Sequence, residues 1–285
     1  MKVDKAFLEA VEILKKNSIA SHFLDARIIL AKILSCDSQD IILKYSQFDL
    51  EPNQYQKYLH YINLRASRVP LSHITNHREF FGNHFFVDNS VLDPRPDSET
   101  LVEMLLDKYQ NRQDGLKICD VAVGSGCLII SLLKLYKNWL GVASDISESA
   151  LKIAQKNAQI NDVDSRISFV KSDIFLNFQK DFLFDIIISN PPYIPSSEIE
   201  NLQDEVKIYE PRIALDGGFD GLEFYRKIAD NCAQFLKIYG SIFLEIGYNQ
   251  YNEVIEIFES RGLKFLDSRK DLNGIIRVLE FVKQI

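Results

Sequence analysis

Apolar residues at positions 7, 8, 11 and 14, and again at 24, 28, 31 and 34, recur at helical spacing, which predicts helices over residues 3–16 and 21–34. Ser21 followed by Asp25 supplies a start for the second. A third helix is predicted from Pro52 to about Arg68, with Tyr55, Leu59, Ile62 and Ala66 along one side. Proline suits the first helical turn, and Pro70 limits the far end. The texture then changes. Glu79 to Val87 reads as two aromatic-rich strands around a Gly82-Asn83 turn, and a helix follows over Ser98 to Lys108.

From residue 116 the pattern alternates. Strands are predicted at Leu116–Val123, Leu140–Asp145, 167–170, 184–189 and 240–246, with helices at 127–137, 147–160, 221–237 and 248–261 between or after them. Such alternation means a mainly parallel sheet covered by helices on both faces, so the fold class is α/β. Two closing strands, near 263–267 and 275–282, have no helix between them and predict an antiparallel edge. The boundary between the two textures falls between residues 70 and 95. The organisation expected is a helical domain over 1–75, a β-hairpin linker over 76–95, and an α/β domain over 96–285.

Length and composition fit this division: 285 residues, 46% apolar and 26% charged, are the proportions of an ordinary globular chain of two domains. The net charge of −7 is carried unevenly, because residues 1–90 hold 11 Lys/Arg against 10 Asp/Glu and the remainder hold 22 against 30. That balance argues against a broad surface for gripping nucleic acid, which needs clustered cations. Cys36, Cys119, Cys127 and Cys232 show neither CxxC spacing nor a pairing pattern, so reduced thiols are expected. No apolar run approaches the ~18 residues of a membrane span, and no signal-type core opens the chain, so a cytoplasmic protein is expected. His73 and His77 stand four apart, but nearby Pro70 and the hairpin disfavour a long helix and no acid or thiol partner is evident; no metal is expected.

Candidate chemistry begins where the first strand of the α/β region turns into a helix, at Asp120-Val121-Ala122-Val123-Gly124-Ser125-Gly126. Glycines let a ligand approach the backbone, and a helix start offers unpaired N–H groups. Asp145, 21 residues beyond Gly124 at the end of the next strand, is placed for ribose hydroxyls. Asp173 follows the third strand, where it can reach an adenine edge while Ile174 packs on the ring. The third glycine of a dinucleotide fingerprint would fall at Ile129, and Asp120 is a poor neighbour for pyrophosphate. A cationic, phosphate-free cofactor, S-adenosyl-L-methionine, suits these residues better than NAD.

The buried strand Phe184–Ser189 ends at Asn190-Pro191-Pro192-Tyr193, on the same rim. An amide or exocyclic amino nitrogen is a weak nucleophile because its lone pair is delocalised. Two acceptors aimed at its N–H bonds, the Asn190 side-chain oxygen and the Pro191 carbonyl, raise its electron density and orient it. Prolines stiffen the loop and remove competing donors, and Tyr193 offers a face for a flat group. Asn190, Pro191 and Tyr193 are therefore the catalytic candidates, and Asn190 to Tyr193 the substrate-binding ones. An adenine-N6 methyltransferase acting on DNA or RNA would use the same acceptor geometry, and a non-catalytic S-adenosylmethionine-binding adaptor is the alternative outside enzymology.

Along nearly its whole length the chain resembles the bacterial protein-(glutamine-N5) methyltransferases of peptide chain release factors. Val91-Leu92-Asp93-Pro94-Arg95-Pro96-Asp97-Ser98-Glu99 is similar to that family's PRPxTE segment, with Ser98 where Thr is usual. Phe184 to Ile194 is similar to its acceptor motif. Tyr209-Glu210-Pro211, Ala214 to Gly218, Asp220-Gly221-Leu222, Leu244-Glu245-Ile246-Gly247, Lys270-Asp271-Leu272 and Arg277-Val278 continue the likeness. It implies a class I, Rossmann-like methyltransferase with a seven-stranded, mainly parallel sheet behind a small N-terminal helical domain that recognises the substrate. It also implies methylation of the glutamine in a Gly-Gly-Gln loop, with release factors 1 and 2 as partners and no direct nucleic-acid binding. By the same likeness Ala122, Val123, Gly124, Ser125, Gly126, Asp145 and Asn190 bind the cofactor. The family usually has glycine where this chain has Ala122, and weakened or slightly rearranged cofactor contacts are expected there.

Overall fold

The computed structural model describes residues 1–110, 114–179 and 181–285. They form two compact units, Met1–His77 with Gln203–Tyr209, and Arg78–Leu202 with Glu210–Ile285. The hairpin expected as a linker thus lies within the second unit, and a short piece of the expected catalytic domain lies within the first.

The first unit contains α1 (Val3–Lys16), α2 (His22–Leu34), α3 (Asp40–Leu43), α4 (Pro52–Ala66) and α5 (Leu71–Thr75). Pro52 occupies the first turn of α4, and Glu51 with Gln54 forms a capping box. The buried stripe differs from the one predicted for α2. Asp25, Ala26, Ile29, Leu30 and Ala31 face inward, while Leu24 is 45% exposed. The reason is a buried ion pair: Arg65 Nε donates to Asp25 Oδ2 at 2.7 Å, so two charged residues occupy core positions that pattern reading assigns to the surface. Glu205, from the inserted Gln203–Tyr209 piece with its single turn α6 (Asp204–Lys207), completes the cluster through Arg65 and Arg68.

In the second unit, β1 (Arg78–Phe80) and β2 (Asn83–Phe85) pair antiparallel, with Arg78 opposite Phe85 and Phe80 opposite Asn83. The turn is therefore Phe81-Gly82, one residue earlier than predicted, and both of its residues have positive φ (49° and 68°). Phe81 tolerates this because its N–H donates to Glu99 and its carbonyl accepts from Asn83 Nδ2.

The sheet follows: β3 (Lys117–Val121), β4 (Leu140–Asp145), β5 (Ile167–Lys171), β6 (Phe184–Ser189), β7 (Leu236–Glu245), β8 (Leu263–Lys270) and β9 (Ile276–Lys283). Its order is β5-β4-β3-β6-β7-β9-β8. Strands β3 to β7 run parallel, and β9 lies antiparallel between β7 and β8. The α/β class and seven-stranded sheet expected from the sequence are thus present.

Alternation along the strands feeds two cores. Ile118, Ile186, Ile188 and Phe243 pack beneath the helices at Glu99–Tyr109, Cys127–Leu135 and Glu148–Ile160. Cys119, Val121, Ile187, Ile242 and Leu244 pack on the other face beneath Glu223–Phe235 and Tyr251–Glu259. The strand order reverses direction between β3 and β6, which places the ends of those two strands at the switch point where open α/β sheets bind ligands. No helix among the described residues is long and apolar enough to cross a membrane.

Candidate active site

A cavity opens at the carboxyl ends of β3 to β6. It is lined by Ala122, Val123, Gly124, Ser125, Asp145, Asp173, Ile174, Asn190 and Pro192 among the residues singled out in the sequence. Gly126, Pro191 and Tyr193 are not in its wall. Gly126 also serves packing: at φ 83° it caps the Cys127–Leu135 helix, and a side chain there would stand 2.7 Å from Ile130 and 3.3 Å from Ala154.

The turn after β3 is held from its neighbour. Val123 N donates to Ser144 O at 2.9 Å, and Gly124 N donates to Asp145 Oδ2 at 3.0 Å. Ser147 N donates to the other Asp145 oxygen at 2.8 Å, which fixes the carboxylate at the cavity wall. Burial raises the Asp145 carboxyl above its ordinary value, and these backbone donors oppose the shift. Ala122 sits at φ 61° and Ile174 at φ 50°. Alanine therefore adopts the left-handed conformation that glycine would take more easily.

Behind this turn Asp120 is 1% exposed, burial holds its carboxyl well above the ordinary range, and its Oδ2 has no hydrogen-bond partner among the described residues. The wall carries Asp93, Asp145 and Asp173 against Arg95 and Lys227, and a side chain added at Gly124 would meet nothing within 4 Å. An acidic, open cradle fits a cationic nucleoside cofactor such as S-adenosylmethionine and suits a pyrophosphate poorly.

The acceptor loop is positioned from two sides. Ser189 Oγ donates to Val121 O at 2.6 Å, tying the end of β6 to the end of β3. Asn190 Nδ2 donates to Ser98 Oγ at 3.1 Å, and Asn190 lines the cavity. Tyr193 lies behind, where its carbonyl accepts from Gln250 Nε2 at 3.0 Å, and burial raises its phenol. Glycines of the later motifs form the bed of this loop. A side chain at Gly217 would stand 2.7 Å from Tyr193 Cα, and one at Gly221 would stand 2.4 Å from Tyr193 O.

Four separated motifs converge behind Asn190. Ser98 comes from the turn Pro96–Ser98, Glu245 ends β7, and Arg277 in β9 bonds Asp271 and Asp97 at 3.0 Å each. Sequence reasoning quoted these segments but gave none of them a place in the site. It also missed Arg95, Phe224 and Lys227, which line the cavity. Arg95 Nη2 grips both oxygens of buried Glu210 at 2.7 Å.

Solved structures share this architecture. A methyltransferase from Pyrococcus furiosus matches with TM-score 0.52 at 17% identity, over 82% of this chain and 100% of that one. The T. thermophilus 16S rRNA N2 G1207 methyltransferase, solved with AdoMet and guanosine, matches with TM-score 0.51 at 18% identity, over 73% of this chain and 50% of that one. Residues 94–206 match the Methyltransferase small domain and residues 5–75 the PrmC N-terminal domain. The fold and the cavity define a class I S-adenosylmethionine-dependent methyltransferase. The release factor glutamine methyltransferase of Clostridium acetobutylicum is 37% identical over 99% of both chains, and that of Agrobacterium fabrum is 36% identical over 98% of this chain and 96% of its own. The chain belongs to the release factor glutamine methyltransferase family.

Proposed function

We propose that this protein transfers a methyl group from S-adenosylmethionine to the side-chain amide nitrogen of the glutamine in the Gly-Gly-Gln loop of peptide chain release factors. The observation that carries this reading is the Asn190 amide, anchored through its nitrogen on Ser98 at the edge of the cavity beyond β3 to β6. With its nitrogen engaged, the side chain presents an acceptor. The Pro191 carbonyl supplies a second acceptor, and Pro191 and Pro192 place no N–H in competition with the substrate. Tyr193 supports the flat carboxamide from the side.

In the cofactor half, the backbone of Ala122 to Gly126 cradles the amino-acid end, Asp145 takes the ribose hydroxyls, and Asp173 with Ile174 takes the adenine. When bound, the cofactor supplies an electrophilic methyl on a positively charged sulfur. The protein's own part is positioning and preorganised dipoles: the acceptors draw on both amide hydrogens, and no residue need remove a proton before the new bond is well formed. The helical unit over residues 1–75 recognises the release factor. Release factors 1 and 2 are the partners in this reading, the cytoplasm is its place of action, and direct nucleic-acid binding has no part in it.

Methyl-labelled cofactor incubated with purified release factor, or with nucleic acid, tests the proposal, with Asn190→Ala as control. Label is expected on the release factor glutamine alone. Label on nucleic acid alone, or equal labelling by the variant, would overturn it.

A further inference from the structure

We infer that Glu245 is a positioning residue for this reaction: together with Ser98, it turns the Asn190 amide so that nitrogen points inward and oxygen points to the acceptor. The inference rests on the function proposed above.

A serine hydroxyl can either give or take a hydrogen bond, so Ser98 alone does not decide which end of an amide faces it. If Ser98 gave its proton to Asn190 Oδ1, the amide would reverse and offer N–H donors to a reacting nitrogen that itself carries only N–H donors. Something must therefore occupy the Ser98 proton. Glu245 is 1% exposed, Ser98 is 2% exposed, and Ser98 and Asn190 both act on the Glu245 carboxylate as hydrogen-bonding neighbours. A carboxyl oxygen of Glu245 accepts from the Ser98 hydroxyl, which occupies its one proton and leaves the hydroxyl lone pair for Asn190 Nδ2, whose bond to Ser98 Oγ is 3.1 Å long. Glu245 Oε2 has no partner of its own among the described residues, which leaves the carboxyl group with accepting capacity to spare.

The carboxylate is itself held. Its backbone carbonyl accepts from Tyr225 Oη at 2.9 Å, and its residue pairs with Val278 in the β7–β9 ladder. The groups that face it are Arg277 from β9, Asp97 and Ser98 from the turn at Pro96–Ser98, Cys127 at the start of the Cys127–Leu135 helix, Asn190 and Tyr193 from the acceptor loop, and Tyr225 from the Glu223–Phe235 helix. Arg277 is shared with Asp97 and Asp271, so its charge steadies the cluster without pairing Glu245 directly. Glu245 is absent from the cavity wall, as a residue that acts only through another should be.

The test is a double-mutant cycle on the intact protein with purified release factor. Glu245→Leu is expected to lower kcat at least about tenfold, short of the ~10²–10³ lost with a whole preorganised dipole, while the equilibrium constant for S-adenosylmethionine stays within about twofold. Glu245→Gln keeps an accepting oxygen and is expected to lose less. The decisive comparison is Glu245→Leu combined with Asn190→Ala, which should turn over no more slowly than Asn190→Ala alone, because the two residues serve one acceptor. An unchanged kcat in Glu245→Leu, or losses that multiply in the double variant, would overturn the inference. Should the leucine variant not fold, Glu245→Gln combined with Asn190→Ala runs the same cycle with the same two readings. If the unaltered protein leaves the release factor unlabelled, the failure lies with the proposed function instead.

Discussion

Asn190 Nδ2 and Ser98 Oγ lie 3.1 Å apart, a bond that closes 92 residues of chain on the edge of the cavity. It joins the segment before the catalytic sheet to the strand end that carries the acceptor loop. Removing the Asn190 side chain takes away an oriented acceptor while leaving the cradle after β3 in place. Asn190→Ala should therefore lose at least ~2.7 kcal/mol of transition-state stabilisation, read as a fall in kcat of at least about a hundredfold. Steady-state kinetics with saturating cofactor measure it.

Ala122 holds φ 61° at a position where its methyl brings steric cost and no compensating bond. Ala122→Gly relieves that strain, partly offset by the greater freedom of glycine in the unfolded chain. A net gain of about 0.5–1 kcal/mol is expected in urea unfolding, together with equal or tighter cofactor binding. A loss of stability would show that the methyl packs usefully.

Gly221 faces the acceptor loop from below, at φ 76° and with Tyr193 O only 2.4 Å from where a β-carbon would sit. Gly221→Ala must push that loop outward. Activity should fall by about a hundredfold, as for a reacting group displaced by an ångström, while cofactor affinity is retained. Isothermal titration with S-adenosylmethionine, run beside the kinetics, separates the two.

Burial pushes the carboxyls of both Glu210 and Glu245 up to about 7. Arg95 opposes the shift at Glu210, and Ser98 with Arg277 opposes it at Glu245. Because these values exceed the ordinary 4.5, the folded chain keeps protons that the unfolded chain has already released. Their contribution to stability is full below about 4.5 and drains away as the pH rises to about 7, by up to roughly 3 kcal/mol for each group. Urea midpoints between pH 5 and 7 should accordingly decline less with pH in Glu245→Gln than in the unaltered protein.

In the helical unit, Asp25 is 2% exposed and bonds Arg65 at 2.7 Å. Asp25→Ala leaves a buried guanidinium with Glu205 alone for a charged partner. A loss of about 3 kcal/mol is expected in thermal or urea unfolding followed by a probe in residues 1–77.

Much of this molecule could be read from one-dimensional pattern because its signals are local. Each of the strands from Leu116 to Ser189 is a short apolar run bounded by turn residues, and the alternation with helices dictates a parallel sheet. The glycine turn, Asp145 and Asn190 stand at strand ends, where the architecture concentrates them on one rim. What stayed hidden is non-local. Spacing alone misplaces the inward face of α2, because Asp25 is neutralised by Arg65, 40 residues away. The hairpin turn slipped by one residue because Glu99, 18 positions on, accepts from Phe81 in its left-handed conformation. Ser98, Glu245 and Arg277 meet only once β7 and β9 are paired, and no spacing along the chain announces it. Seven residues, Gln203–Tyr209, leave the catalytic unit for the helical one with no change of composition to mark the excursion.

The bed of glycines under the acceptor loop has an implication for altering what the enzyme accepts. Positions 217, 221 and 247 admit no side chain without striking the loop or the glutamine that braces it, so the rear of this site is closed to redesign. Only the open mouth of the cleft can be reshaped. Evolution toward a new amide-bearing client would therefore leave its record in the rim residues and the helical module, while the floor stayed as it is.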